Sequence, residues 1–324
     1  MFEQPAVFCF LRKGSRPMSG INKQRRTSVP RLKIGDFSLH YEIEGEEKSS
    51  DLILISGIGT QLIWWSESFV AALADRGFRV IRLDNRDVGY SDGHDHLGIP
   101  DIQSMISDRV AGLPLHPPYR LEDMASDTAA LLCGLGVERA HVVGGSMGGM
   151  IAQLMALDHP GKVASLVSIM STTGNPGLPA ATPAAQSVLF RPRMSPQADR
   201  EAYLQASVDA AQVLGSPTYP ECSEKLRANA AAALDRAYRP AGFVRHYAAI
   251  ISARDRRERL KGLNLPATVI HGGADPLIRP EAGRDTAANI PNAEYIEFQG
   301  MGHNIPTALE GEIADAIART AARA

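Results

Sequence analysis

The sequence predicts an α/β protein: a mostly parallel, doubly wound sheet carrying one helical insertion. Three observations lead there. Short runs of branched apolar residues recur along the chain, stretches of helical spacing separate them, and from about residue 174 to 262 the strand-like runs give way to alanine-rich helical sequence. The 324 residues exceed the roughly 150 of an average domain, so the length fits one core with an insertion or two domains.

The first segment stands apart. Arg12, Lys13, Arg16, Lys23, Arg25, Arg26, Arg31 and Lys33 face a single acid, Glu3. Its apolar piece, Ala6 to Leu11, is shorter than the roughly 7–15 residues of a signal-peptide core, and the charges follow it instead of preceding it. Secretion is not expected. Residues 1–32 read as a basic, disordered arm; a true start at Met18 and a functional basic anchor are the other two readings.

From Phe37 the chain acquires a period. Phe37, Leu39, Tyr41 and Ile43 alternate with Ser38, His40, Glu42 and Glu44, as in a half-buried strand of an antiparallel pair. The runs Leu52–Ile55, Arg79–Leu83, His141–Val143, Leu166–Ile169 and Ala267–Ile270 suit parallel strands covered on both faces, and Glu294–Phe298 adds a last strand. Between them, Ser66–Ala74 ends at Gly77 and Leu121–Leu135 ends at Gly136. The helix after Ser146, with Met150, Ile151, Leu154 and Met155, stops at Pro160-Gly161. Such alternation implies right-handed βαβ units. A final helix carries Leu309, Ile313 and Ile317, so the core spans 33–173 and 263–324 and the insertion 174–262.

Composition narrows the function. With 44% hydrophobic and 22% charged residues the chain can bury a sizeable core. A net charge of -2 gives no pull toward nucleic acid or an anionic membrane, and no run approaches the ~18 apolar residues of a membrane span. Cys9, Cys133 and Cys222 are odd in number and far apart, so a reducing, cytoplasmic setting without a disulfide framework is expected. Cys133, behind Leu131-Leu132, reads as a small core residue. The expected partner is a small, nearly neutral molecule. No cofactor and no metal are expected, and nothing in the pattern fixes an oligomeric state.

In open α/β sheets, functional groups gather beyond the carboxyl ends of the strands. Ile55 is followed by Ser56-Gly57-Ile58-Gly59, Leu83 by Asp84-Asn85-Arg86-Asp87, and Val143 by Gly144-Gly145-Ser146-Met147-Gly148. Ile270 is followed by His271-Gly272-Gly273-Ala274-Asp275, and Phe298 leads to Gly300-Met301-Gly302-His303. A serine, an aspartate and a histidine thus arrive at one edge in that order. The G-x-S-x-G run between strand and helix suits a tight turn that holds Ser146 clear of the sheet. Gly144 and Gly148 permit that turn, and Gly145 and Gly149 close packing beside it. A helix starting at Met147 would aim its free N–H groups and the positive end of its dipole at a developing oxyanion.

On these motifs the chain from Leu39 onward resembles the α/β-hydrolase superfamily, and Gly59-Thr60-Gln61 with Asp84 through Ser91 resembles bacterial esterases of the aclacinomycin methylesterase type. The insertion corresponds to that superfamily's variable cap. The resemblance implies a nucleophile at Ser146, a general base and then acid at His303, and at Asp275 the carboxylate that orients the imidazole. It implies oxyanion donors at the backbone N–H groups of Met147 and Ile58. Ser56 stands where many relatives carry histidine, so no histidine side chain acts there. Trp64 and Trp65 follow the oxyanion loop, where matching relatives carry an aromatic residue near the pocket; one is expected to line the site and the other to pack in the core. The implied reaction is carboxylic ester hydrolysis through an acyl-serine, on a small-molecule ester.

Competing readings have their own residues. Gly57-Ile58-Gly59 imitates a dinucleotide fingerprint but meets Leu62 at the third glycine and bulky Trp64-Trp65 beyond it. A non-catalytic binder of this fold would be marked by decay of the triad, and all three members are present. Ser146 selects acyl transfer over the alkyl attack that needs a carboxylate, while lactonase, amidase and carbon–carbon bond hydrolase chemistry share the same triad. Asp275 also suits turn chemistry, and His271 suits packing. Asp84, Arg86 and Asp87 suit an ion-paired turn, with Asp87 a candidate for substrate contact. Leu189, Phe190, Tyr203, Phe243 and Tyr247 either line the site or form the core of the insertion.

Overall fold

The computed structural model describes residues 29–47, 49–191 and 194–324, so the arm up to Ser28 lies outside the described residues. Eight strands form one sheet: β1 (Arg31–Ile34), β2 (Phe37–Glu44), β3 (Ser50–Ile55), β4 (Phe78–Leu83), β5 (Ala140–Gly145), β6 (Val163–Ile169), β7 (Ala267–Gly272) and β8 (Glu294–Phe298). Their order is β1-β2-β4-β3-β5-β6-β7-β8. β2 pairs antiparallel with β1 and β4, and the remaining neighbours are parallel. β1 takes in Arg31 and Leu32, which charge alone assigns to the arm. Leu32 sits opposite Leu39 and packs on the core, a pairing that four residues beside a basic run do not advertise.

The helices are α1 (Glu67–Ala74), α2 (Ile102–Val110), α3 (Leu121–Gly134) and α4 (Met147–Asp158), then α5 (Pro183–Phe190), α6 (Arg200–Leu214), α7 (Ser223–Arg236), α8 (Pro240–Ser252) and α9 (Arg257–Leu260), and finally α10 (Pro280–Ala288) and α11 (Glu310–Ala321). Strand pleating divides the core into two layers. Leu52 and Leu54 point to the α1 and α11 side, with Phe69, Leu73, Ile313 and Ile317. Ile53 and Ile55 point to the α3 and α4 side, with Leu121, Leu132, Ile151 and Met155. Cys133 is exposed, contrary to the sequence expectation. Leu131 and Leu132 already fill the buried side of α3, and the next step of about 100° turns Cys133 to solvent. α2 carries little periodic signal because only Met105 on it is buried.

Five helices, α5 to α9, lie between β6 and β7. The alanine-rich α7 buries none of its residues. α8 is different: Arg245, His246, Ala248, Ala249 and Ile251 are all buried. No helix among the described residues is long and apolar enough to cross a membrane. Because β3 to β8 all run parallel, the loops that leave their carboxyl ends meet along one edge, under the helices inserted between β6 and β7.

Candidate active site

A single residue separates β5 from α4. Ser146 makes that turn with φ 56 and ψ -120, a conformation that costs a non-glycine residue about 1–3 kcal/mol and persists only where the surroundings impose it. Here they do. The Ser146 N–H donates to the Ile169 carbonyl at 2.9 Å, and Ser171 Oγ donates to the Ser146 carbonyl at 2.8 Å. The turn is tight enough that a Cβ on Gly144 would lie 2.0 Å from the Gly148 carbonyl oxygen, and one on Gly148 would lie 1.9 Å from that of Ile55.

Asp275 follows β7 and is fully buried. Its Oδ1 accepts the N–H groups of Leu277 and Ile278 at 2.8 and 2.9 Å, while Oδ2 accepts from His303 Nδ1 at 2.7 Å. The two roles open to Asp275 in the sequence, turn residue and histidine partner, are thus both filled, by different oxygens. A carboxylate at Nδ1 fixes the ring proton there, which leaves Nε2 bare. Nε2 lies 3.0 Å from Ser146 Oγ. The loop bearing His303 is fastened from the insertion: the His303 N–H donates to the Leu214 carbonyl at 2.7 Å, and the Gly302 N–H to Ser216 Oγ at 2.9 Å.

The loop after β3 passes close to Ser146, since a Cβ on Gly57 would lie 3.3 Å from Ser146 Cβ. Among the described residues, the N–H groups of Ile58 and Met147 have no acceptor. Both flank the serine, Ile58 across the cleft and Met147 at the start of α4. Behind the loop, buried Asp84 accepts the Leu62 N–H at 2.8 Å and the Tyr90 N–H at 2.9 Å and pairs with Arg236 at 2.7 Å. Arg86 grips Asp127 through two bonds of 2.6 and 2.7 Å. Asp87 accepts from Arg245 at 2.7 and 2.6 Å and from the Tyr119 hydroxyl at 2.6 Å. Burial alone would raise the Asp87 pKa, but these donors and the His94 N–H outweigh it and hold the carboxyl at about 2. With both oxygens engaged, Asp87 lines neither cavity at Ser146.

Trp65 is 1% exposed and stacks on Phe69 in the core at 5.7 Å. Trp64 lines the cavity. His271 is buried, its Nε2 donating to the Ile278 carbonyl at 2.8 Å, and burial lowers its pKa, so it packs beneath the loop as a neutral ring. Two cavities meet at Ser146 and share Ile58, Leu189 and Leu277. One, of about 390 Å³, adds Trp64, Arg191, Tyr203, Phe243 and His303; the other, of about 460 Å³, adds Met150, Thr172, Gln186 and Tyr247. Of the residues the sequence leaves between lining and core, Leu189, Tyr203, Phe243 and Tyr247 line the site; the side chain of Phe190 lies outside what is described. Leu214, Ser216 and His246 are absent from the sequence reading. Their contacts bridge 86 to 187 residues, and a serine, a leucine and a helical histidine carry no local mark of it.

A family model for the alpha/beta hydrolase fold matches residues 52–306. The chain belongs to that family. This α/β-hydrolase is 28% identical over 290 residues to the rhodomycin D methylesterase of Streptomyces peucetius, covering 84% of this chain and 91% of that one. It is likewise 28% identical to a 2-hydroxy-6-oxononadienedioate/2-hydroxy-6-oxononatrienedioate hydrolase of Paraburkholderia phymatum, over 83% of this chain and 85% of the relative. Among solved structures, the enol-lactonase of Burkholderia xenovorans LB400 superposes with a TM-score of 0.63 at 24% identity, covering 90% of this chain and 98% of that one. The protein is an enzyme of hydrolase type, resembling the aclacinomycin methylesterase group.

Proposed function

We propose that this protein is a serine hydrolase that cleaves carboxylic esters through an acyl-serine intermediate. The observation that carries the reading is the unbroken relay from Asp275 Oδ2 to His303 at 2.7 Å and from His303 to Ser146 Oγ at 3.0 Å, ending at the junction of two cavities. Bare Nε2 of His303 takes the hydroxyl proton as Ser146 Oγ attacks the ester carbonyl. The N–H groups of Ile58 and Met147 receive the oxyanion, helped by the dipole of α4. His303 then gives its proton to the leaving alkoxide. Water activated by the same nitrogen releases the acid and restores Ser146.

Several features support an ester as substrate. A relative matched over most of its length is a rhodomycin D methylesterase, and the cleft is mostly apolar with few polar groups, as for a small, weakly charged molecule. Cavities of about 390 and 460 Å³ that both reach Ser146 leave room for a substrate with substantial groups flanking its carbonyl. Helices α5 to α9 act as a cap in this reading, since they supply Leu189, Tyr203 and Phe243 to the walls. Carbon–carbon bond cleavage is the second reading, favoured by the dioate hydrolase relative.

The test is a hydrolysis panel of p-nitrophenyl esters of increasing chain length, methyl esters, lactones and a vinylogous diketone, with Ser146→Ala as the blank. Ester turnover that vanishes in the blank is expected. Turnover of the diketone alone would replace the ester reading with the second one.

A further inference from the structure

His246 belongs to the insertion, yet it reaches the loop that flanks the nucleophile. It is fully buried on α8 and spans two loops at the carboxyl edge of the sheet. Its Nδ1 accepts the Gly59 N–H at 3.1 Å and its Nε2 donates to the Arg86 carbonyl at 2.8 Å. A backbone N–H can only donate and a carbonyl can only accept. These partners therefore fix one neutral tautomer, with the proton on Nε2, and an imidazolium would lose the Gly59 contact.

The peptide that His246 holds is the one directly after Ile58. Among the described residues, the other hydrogen bonds between Gly57 and Thr60 are internal, from the Thr60 hydroxyl and N–H to the Gly57 carbonyl at 3.0 and 3.4 Å, and Phe243 of α8 lies against Gly59. Gly59 itself has φ +62, the left-handed region that glycine adopts without a Cβ penalty. The anchor is rigid on its other side. The neighbouring residue Arg245 is locked to Asp87 by two bonds, to Asp95 at 2.8 Å and to the Gly98 carbonyl at 2.9 Å, so α8 cannot slide.

We infer that His246 is a positioning residue of the oxyanion loop: by accepting the Gly59 N–H it fixes the peptide after Ile58 and so the aim of the Ile58 N–H at the reacting carbonyl. The inference rests on the serine-hydrolase reading of the site. It makes the insertion a working part of the catalytic geometry as well as a wall of the pocket.

Two substitutions separate the two contacts. In His246→Asn the amide oxygen stands near the place of Nδ1 and retains the Gly59 acceptor while the Arg86 contact is lost. In His246→Gln the amide reaches the place of Nε2 and retains the Arg86 contact while Gly59 loses its acceptor. Each variant gives up one buried hydrogen bond, so thermal melting should rank them alike. kcat should not: the Gln variant is expected to fall about 10- to 100-fold at nearly constant KM, and the Asn variant to stay within a few-fold of wild type. Equal kcat losses in two folded variants, or losses confined to KM, would overturn the role of His246. Failure of the underlying reading would look different: wild-type turnover would survive Ser146→Ala.

Discussion

Asp275→Asn isolates the part of the relay that sets the imidazole proton. Asp275 Oδ1 accepts two backbone N–H groups, from Leu277 and Ile278 at 2.8 and 2.9 Å. In the variant the amide oxygen must remain there, because an NH₂ facing two N–H donors would leave buried groups unpaired at about 1–3 kcal/mol each. The amide nitrogen then occupies the Oδ2 position, 2.7 Å from His303 Nδ1, and it can only donate. His303 must shift its proton to Nε2, where it blocks acceptance from Ser146 Oγ. The equivalent exchange in the serine-protease triad costs about 10⁴ in kcat, which corresponds to about 5.5 kcal/mol of transition-state stabilisation. The same loss is expected here, at neutral pH, with KM and melting temperature near wild type. The assay is steady-state hydrolysis of an activated ester, with Ser146→Ala as background. A kcat loss of less than about 10-fold in a folded Asp275→Asn protein would refute the argued tautomer control.

Two further expectations follow from packing and burial. Gly148→Ala puts a Cβ 1.9 Å from the Ile55 carbonyl oxygen, an overlap of backbone with no side chain to yield; denaturant unfolding should show a loss of about 1–3 kcal/mol or more, and a variant within 0.5 kcal/mol of wild type would contradict the turn geometry. Burial lowers the His246 pKa from its ordinary 6.5 to about 4, with Arg86 and Asp87 on the β4 loop, Arg245 on α8 and the Tyr119 ring facing it. The unfolded chain therefore takes up a proton first as pH falls. The contribution is complete above pH 6.5, is lost between 6.5 and about 4, and amounts to about 3 kcal/mol at ~1.36 kcal/mol per pH unit. Between pH 7 and pH 4.5, wild type should lose more stability than His246→Asn in urea unfolding; equal losses would show that another group governs that window.

The parallel sheet and the meeting of Ser146, Asp275 and His303 at its edge were legible because each signal is local. Ser146, Asp275 and His303 each follow a run of apolar residues by a few positions, and a parallel sheet brings such positions to one edge regardless of the distance between them in sequence. Trp64 and Trp65 show the limit of that logic. Adjacent residues in the turn just before a helix point apart, but which one meets Phe69 and which one meets the cavity depends on how that turn and α1 sit on the sheet. Leu32 and Cys133 fail for a related reason: one paired partner across a strand, or one step of about 100° around a helix, decides burial against the local average. His246 marks the far end of the scale. Its bonds to Gly59 and the Arg86 carbonyl join segments 187 and 160 residues apart, and only the folded chain brings those segments together.

Covalent labelling probes the proposed role of Ser146 as nucleophile. The native protein, incubated with a fluorophosphonate and analysed by intact mass and peptide mapping, should gain one phosphonyl group, on Ser146, with hydrolysis lost in proportion. Ser146→Ala should gain none. A protein that hydrolyses esters while remaining unlabelled, or one labelled at another residue with matching loss of activity, would contradict the account.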